Sequence, residues 1–127
     1  MKDPNPREET DMLCPIKYML GIFGGKWKLP IICILEYNGP MRFGQIKKRL
    51  GNITAVMLSQ SLRELERDSI SSRRQYNESP PKVEYSITPN GKSVIPALEM
   101  IGQWAIENMK EKNLCPECQR CMPAPDA

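Results

Sequence analysis

The chain has 127 residues, of which 40% are hydrophobic and 26% charged, with a formal net charge of +3. This length fits one domain, the longest apolar run (residues 29–35) is too short to span a bilayer, and the charged N-terminus has no apolar stretch of the kind that signal peptides carry. These two features predict a cytoplasmic protein. The chain has no histidine, which excludes His-dependent catalytic triads and His-ligated zinc, so we expect that it is not an enzyme.

Both ends of the chain are rich in proline and poor in apolar residues. We therefore expect a flexible N-terminal arm over residues 1–12, an ordered domain over residues 13–112 and a Cys-rich C-terminal tail over residues 113–127. The predicted fold class of the domain is α+β, mainly α.

Two apolar helices open the predicted domain. Pro15 suits the first position of a helix, where its missing N–H costs nothing, so Cys14 falls at the cap. Gly24 and Gly25 end this helix, and a second helix stops at the Asn-Gly-Pro breaker over residues 38–40. Cys33 lies in the apolar part of the second helix and is assigned to the core.

The next segment has the pattern of a helix-turn-helix. A third helix over residues 43–50 ends at Gly51, which suits a C-cap. Thr54 then caps a fourth helix that runs to about residue 68. Leucines spaced four and three residues apart supply the buried side of this helix, and its opposite side is left for recognition.

After residue 68 the hydrophobic period changes from helical to alternating. Residues 70–76 and 83–87 are predicted to form a two-stranded wing, whose tip contains two prolines that prevent regular pairing. Thr88 and Pro89 predict the start of one long last helix with apolar residues on two sides. A domain of this size rarely needs both sides of a terminal helix, so we expect a homodimer.

Positive charge is concentrated in the predicted helix-turn-helix and wing. Residues 42–82 hold nine Lys or Arg and four acids, a net charge of +5, so the remainder of the chain is at −2. This is the electrostatic footprint of a protein that binds double-stranded DNA. Gln60 and Arg63 are the candidates for reading bases, with Thr54 and Ser59 as adjacent polar contacts. The remaining predicted DNA contacts, mainly to phosphate, are Arg42, Lys47, Arg73, Arg74 and Lys82.

The cysteines outside the core leave several interpretations open. Cys14 lies at the positive end of a helix macrodipole, which makes it a candidate redox or electrophile sensor, although a free cysteine is more often a small buried hydrophobe. Cys115, Cys118 and Cys121 have the spacing C-x2-C-x2-C, which is similar to part of a metal-ligand run but lacks a fourth ligand. A metal bound by these thiols, a disulfide between Cys14 and the tail of a partner subunit, and an inert tail all stay open, and no other cofactor is predicted.

Several short motifs occur in a characteristic order. They are Cys14-Pro15, Gly24-Gly25-Lys26-Trp27, Arg42-Phe43-Gly44, Met57-Leu58, Leu62-Arg63-Glu64-Leu65 and Pro80-Pro81-Lys82-Val83-Glu84-Tyr85. Their combination resembles the HxlR-type branch of the MarR-like winged helix-turn-helix transcription regulators. The resemblance implies a homodimeric DNA-binding regulator with dimer contacts from the first helices and the last helix, and in several relatives a cysteine at the place of Cys14 senses oxidants or electrophiles. Ala55 and Val56 depart from the polar residues that relatives often carry there, and the tail cysteines lie outside the family pattern.

We therefore predict a dimeric, sequence-specific DNA-binding transcription regulator. Its two recognition helices would lie about 34 Å apart in successive major grooves of a near-palindromic site. Two alternatives come from other classes of protein: a small thiol-dependent redox or metal-binding protein centred on the tail cysteines, and a winged helix that binds only protein. Neither alternative explains why positive charge is concentrated in residues 42–82.

Overall fold

The computed structural model of the protein describes residues 14–113. The predicted N-terminal arm and the three tail cysteines lie outside these residues. In chain order the described elements are α1 (Pro15–Phe23), α2 (Lys28–Asn38), α3 (Phe43–Leu50), α4 (Ala55–Arg67), β1 (Ser71–Tyr76), β2 (Lys82–Ile87), α5 (Pro89–Lys92) and α6 (Ile95–Glu111).

Helix α2 is the centre of the hydrophobic core. Ile31, Ile32, Ile34 and Leu35 are completely buried, so α2 is apolar around most of its circumference. It packs against α3, α4 and β2, which cover it from different sides. A helix that is apolar on several sides is typical of a core position.

The core-facing sides of α3 and α4 follow the predicted helical spacing. The fully or nearly fully buried residues of this pair are Ile46, Leu50, Leu58, Leu62 and Leu65. Phe43 and Cys33 are only half-buried. Cys33, which was predicted to lie in the core, is therefore partly exposed, although its neighbours Ile32 and Ile34 are fully buried.

The wing is an antiparallel pair in which Ser71 lies opposite Ile87 and Tyr76 lies opposite Lys82. The outer edge of β2 is also paired, at Tyr85, which was not predicted from the sequence. The N–H of Met41 donates to the carbonyl of Tyr85 at 2.9 Å, and the N–H of Tyr85 donates to the carbonyl of Met41 at 2.8 Å. This bridge fixes the wing to the residue that directly precedes the helix-turn-helix.

The predicted single last helix is two helices in the structure. Thr88 caps the short α5 as expected, since its Oγ1 accepts the N–H of Gly91 at 3.0 Å. The chain then leaves the helix at Ser93 and restarts with Val94 as the N-cap of α6. Pro96 explains the break, because it has no N–H to donate to the carbonyl four residues earlier and its ring clashes with that carbonyl in a continuous helix.

Helices α1 and α6 leave much of their apolar surface uncovered. No residue of α6 is buried, and in α1 only Phe23 is buried. Within residues 14–113 no single helix is long and apolar enough to cross a bilayer; α1 and α2 meet that requirement only jointly, and they are bent by 74° relative to each other.

Candidate nucleic-acid interface

The turn between α3 and α4 is built by two residues with defined backbone roles. Gly51 has a φ of 82°, in the left-handed region that favours glycine. Thr54 caps α4, and its Oγ1 accepts the N–H of Met57 at 3.1 Å. Ile53 between them is 3% exposed and anchors the turn in the core. The Thr54 hydroxyl, a predicted DNA contact, thus has a structural role at the start of α4.

One exposed side of α4 carries the predicted base-reading residues. Val56, Gln60, Arg63 and Arg67 are all exposed and follow one another at spacings of four, three and four residues, which places them on a common face. Together with Glu64 they line one shallow groove. The structure therefore brings Gln60 and Arg63 together, while Ser59 is half-buried beside them.

An ion pair holds this face to the core, and the sequence analysis missed it. Lys28 Nζ in α2 lies 2.6 Å from Glu64 Oε1 in α4, with side-chain exposures of 9% and 30%. Gln60 Nε2 donates to the other carboxylate oxygen, Oε2 of Glu64, at 3.1 Å. The partners Lys28 and Glu64 are far apart in sequence, and a lysine in an apolar stretch does not reveal its partner.

The environment of Glu64 keeps its carboxylate ionised. The hydrogen bond from Lys28 lowers the pKa of Glu64 below its ordinary value of 4.5, partial burial raises it, and the hydrogen bond from Gln60 lowers it again. At neutral pH the negative charge of Glu64 is therefore paired with Lys28, and it opposes an approaching phosphate less than a free carboxylate would.

One face of the wing holds a compact group of charged and aromatic side chains. Arg74 Cζ and Lys82 Nζ lie 4.8 and 4.9 Å from the centre of the Tyr76 ring, and Lys82 Nζ lies 3.3 Å from Glu84 Oε2. Desolvation raises the pKa of Glu84, but the hydrogen bonds from Tyr76 and Lys82, with the nearby charge of Arg42, hold it below its ordinary value. Three predicted DNA contacts, Arg42, Arg74 and Lys82, are therefore neighbours.

Arg73 lies on the other face of the wing. Successive residues of a strand point to opposite faces, so Arg73 shares a face with the buried Ser71 and lies opposite Tyr85. Helix α4 packs against β1. Arg73 is exposed and makes no ion pair with another described residue. Lys47, the last of the predicted contacts, is half-buried on α3 and belongs to neither group.

Cys14, the predicted sensor, is partly accessible to solvent. Cys14 is the N-cap of α1 and is half-buried, and its side chain makes no capping hydrogen bond. Its carbonyl accepts the N–H of Tyr18 at 3.1 Å, so it begins the helix through its backbone. Within residues 14–113 no group of three or more His, Cys, Asp or Glu side chains is arranged to hold a metal ion.

The order of elements and the exposed face of α4 define a winged helix-turn-helix regulator, and comparison with known proteins identifies its family. A family model for the HxlR-like helix-turn-helix matches residues 22–113. The chain therefore belongs to the HxlR-like family, as the motifs of the sequence indicated. It is a transcription regulator, a class that is generally not enzymatic.

Individual relatives support this assignment. An uncharacterised HTH-type transcriptional regulator of Halalkalibacterium halodurans is 43% identical over 94 residues, which cover 74% of this chain and 83% of the relative. The crystal structure of the HTH-type regulator YtcD is 38% identical, with a TM-score of 0.74, and the match covers 77% of this chain and 99% of YtcD. The redox regulator HypR in its oxidised form is also 38% identical, with a TM-score of 0.70 and coverages of 75% and 97%. The predicted α+β, mainly α winged helix-turn-helix fold is confirmed.

Proposed function

We propose that this regulator is a cytoplasmic homodimer that binds double-stranded DNA in a sequence-specific manner through α4 and the wing. The observation that carries the proposal is the exposed stripe of α4, on which Gln60 and Arg63 lie side by side in one groove. Gln suits adenine and Arg suits guanine in the major groove. The cations of the wing suit phosphate, which sets the register of the complex.

The exposed apolar surface of α1 and α6 supports the homodimer. Ile16 and Leu20 of α1 are 62% and 53% exposed, and Met100, Ile101 and Trp104 of α6 are 75%, 58% and 68% exposed. Large exposed apolar side chains on two helices are typical of an interaction surface. A twofold axis through this surface would bury it in both subunits at once and present two copies of α4 to one duplex.

The test is DNA affinity as a function of salt. The Kd for a labelled fragment from the regulator's own upstream region is measured between about 50 and 200 mM salt, beside an unrelated fragment of equal length. We expect tighter binding to the upstream fragment and a steep loss of affinity with salt. Affinity that is flat across salt and equal for both fragments would contradict the proposal.

Two neighbouring arginines sharpen this test. Arg73 lies on the same face of the wing as the buried Ser71, whereas Arg74 stacks on Tyr76 and lies opposite Glu84. We expect Arg73→Ala to lower the magnitude of the salt slope by about 2 per dimer, since each lost phosphate contact removes about 0.9 and the dimer has two copies. Arg74→Ala should have a smaller effect, because Arg74 already stacks on Tyr76. Lys92→Ala in α5, outside α4, the wing and the two proposed dimer helices, is the control of equal charge.

A second part of the proposal concerns Cys14 as a redox or electrophile sensor. Cys14 is a half-buried thiol at the start of a helix with an exposed apolar side, and HypR, a similar structure, is described as a redox regulator. Oxidation at this position would shift the dimer contacts and thereby the spacing of the two recognition helices. DNA affinity is measured before and after diamide treatment in wild type, Cys14→Ser and Cys33→Ser. Only Cys14→Ser should lose the response, and a normal response of that variant would contradict the role.

The tail cysteines carry the remaining alternatives. Cys115, Cys118 and Cys121 lie outside the described residues, so a bound metal and a disulfide to Cys14 of a partner subunit both stay proposals. Metal analysis of protein purified anaerobically without chelator separates these two proposals. A metal-free, reduced and functional sample would exclude the bound metal. If the tail were the functional centre, a variant with all three residues changed to serine would lose function; the regulator proposal expects DNA binding to persist in it.

A further inference from the structure

Val56 is an apolar side chain at a position where the fold does not need one. It is the second residue of α4 and is 74% exposed. The core side of α4 is supplied by other residues, including Leu58 and Leu62, which are at most 1% exposed. Isolated surface valines are common, but this one lies on the same face as Gln60 and Arg63 and lines the same groove.

The stripe on α4 is polarised along the helix. It runs from Val56 at the N-terminal end, through Gln60 and Arg63, to Arg67 at the C-terminal end, over about 16 Å. In helix-turn-helix proteins the N-terminal residues of the recognition helix contact base edges. Val56 therefore lies at the end of the stripe that would enter the major groove of DNA deepest, and Arg63 and Arg67 would lie nearer the phosphates.

The amide of Gln60 has a defined orientation. A carboxylate only accepts hydrogen bonds, so the NH2 end of Gln60 must face Glu64 Oε2, to which it donates at 3.1 Å. Lys28 fixes Glu64 from the other side. The second N–H and Oε1 of Gln60 stay available as the donor and acceptor pair that adenine N7 and N6 require.

We propose that Val56 is a specificity-determining residue whose isopropyl group packs on the C5-methyl group of a thymine in each half-site. The inference rests on the proposed DNA-binding function and adds the chemistry of one base. Val56 and Gln60 are four residues apart, a rise of about 6 Å along the helix against about 3.4 Å per base pair, so the thymine lies one or two pairs from the adenine that Gln60 reads. Thymine presents the only methyl group in the major groove of unmodified DNA.

The size of the effect follows from the burial of one methyl group. Removing it should weaken binding about fourfold per half-site, which converts to about 0.8 kcal/mol. Loss in both half-sites of a dimer should weaken binding about fifteenfold, provided that the two sites contribute independently.

The experiment first finds a site and then removes single methyl groups from it. The full chain selects its site from a pool of random duplexes. Each thymine of the recovered site is then replaced in turn by deoxyuridine, which differs only in lacking the methyl group, and Kd is measured by fluorescence anisotropy at fixed salt. The same duplexes are measured with Val56→Ala and with Val56→Ile, which keeps a branched apolar group.

We expect one thymine per half-site to show the fourfold loss in wild type and in Val56→Ile, and to show none in Val56→Ala. The inference is overturned if every deoxyuridine site binds wild type as well as the parent site, or if Val56→Ala keeps the full discrimination. It is also overturned if Val56→Ala changes the oligomeric state in sedimentation, since protein would then cover this face. Failure to recover any site would instead refute the proposed function itself.

Discussion

Lys28 and Glu64 form an ion pair between α2 and α4 whose two members should contribute unequally to stability. The side chain of Lys28 is 9% exposed and that of Glu64 is 30% exposed. Glu64→Gln leaves the buried ammonium group of Lys28 without an anion. Water cannot easily replace the lost partner at this position. Lys28→Met leaves a carboxylate that can turn toward solvent and be hydrated, while the methionine fills the space of the lysine stem.

The expected magnitudes lie between those of buried and surface ion pairs. Breaking a fully buried pair costs about 3–5 kcal/mol, and breaking an exposed pair costs about 1 kcal/mol or less. The amide of the Glu64→Gln variant can still accept one hydrogen bond from Lys28, so we expect this variant to lose about 2 kcal/mol of unfolding free energy. Lys28→Met should lose about 1 kcal/mol, and the double variant should lose less than the sum of the two.

Urea denaturation followed by circular dichroism measures these losses. All variants are compared at one protein concentration, since the stability of a dimer depends on concentration, and an unchanged m-value confirms that the same surface unfolds. The reasoning is refuted if Lys28→Met costs as much as Glu64→Gln, or if the two losses simply add in the double variant.

Three further predictions concern stability and assembly. The folded-state pKa of Glu64 lies below its ordinary value of 4.5. The contribution of this carboxylate to stability is therefore complete above that pH and is lost as the pH falls through the folded pKa. In urea denaturation, the difference in unfolding free energy between wild type and Glu64→Gln should shrink as the solution is made acidic. Gly91→Ala should lower the unfolding free energy by about 1–3 kcal/mol, because the added Cβ would collide with the carbonyl oxygen of Ile70. Gly44→Ala, whose added Cβ would have nothing within 4 Å, should raise the unfolding free energy by about 0.5–1 kcal/mol. Equal thermal stabilities of the two variants would contradict this prediction. Trp104→Ser removes an exposed side chain of α6 and should weaken the dimer at least about tenfold in sedimentation equilibrium, with unchanged helical content; an unaltered dimer would place the interface elsewhere.

The helix-turn-helix was predictable because its signals are local. Gly51 marks a positive φ and Thr54 accepts a hydrogen bond from a residue three positions later, so each signal and its effect lie within one turn of chain. The break before α6 was also marked locally, by Pro96. The prediction of a single last helix from Thr88 and Pro89 left Pro96 out, although proline in a helix interior costs about 3 kcal/mol.

The arrangement of the site was less predictable because it depends on contacts that are distant in sequence. Nothing near Lys28 indicates that its partner is Glu64, since the pairing arises only when α2 and α4 pack together. Met41 likewise gives no strand signal and pairs with Tyr85 only in the folded chain. Arg73 and Arg74 were predicted together as contacts to phosphate, although the period of a strand places neighbouring residues on opposite faces, as the register of the wing shows.

These contacts bear on how a signal at α1 would reach the DNA-reading face. Four residues of α2 are fully buried in the core. Lys28 at the start of α2 forms an ion pair with Glu64, which in turn accepts a hydrogen bond from Gln60. Packed interiors transmit displacement and resist gradual deformation, so α2 and α4 should move as one body. In the proposed dimer, a change at Cys14 should then rotate whole subunits about the proposed contacts of α1 and α6, and leave the orientation of Gln60 on α4 intact. Oxidation would thus alter the spacing between half-sites that the dimer accepts, with the preferred base within each half-site unchanged.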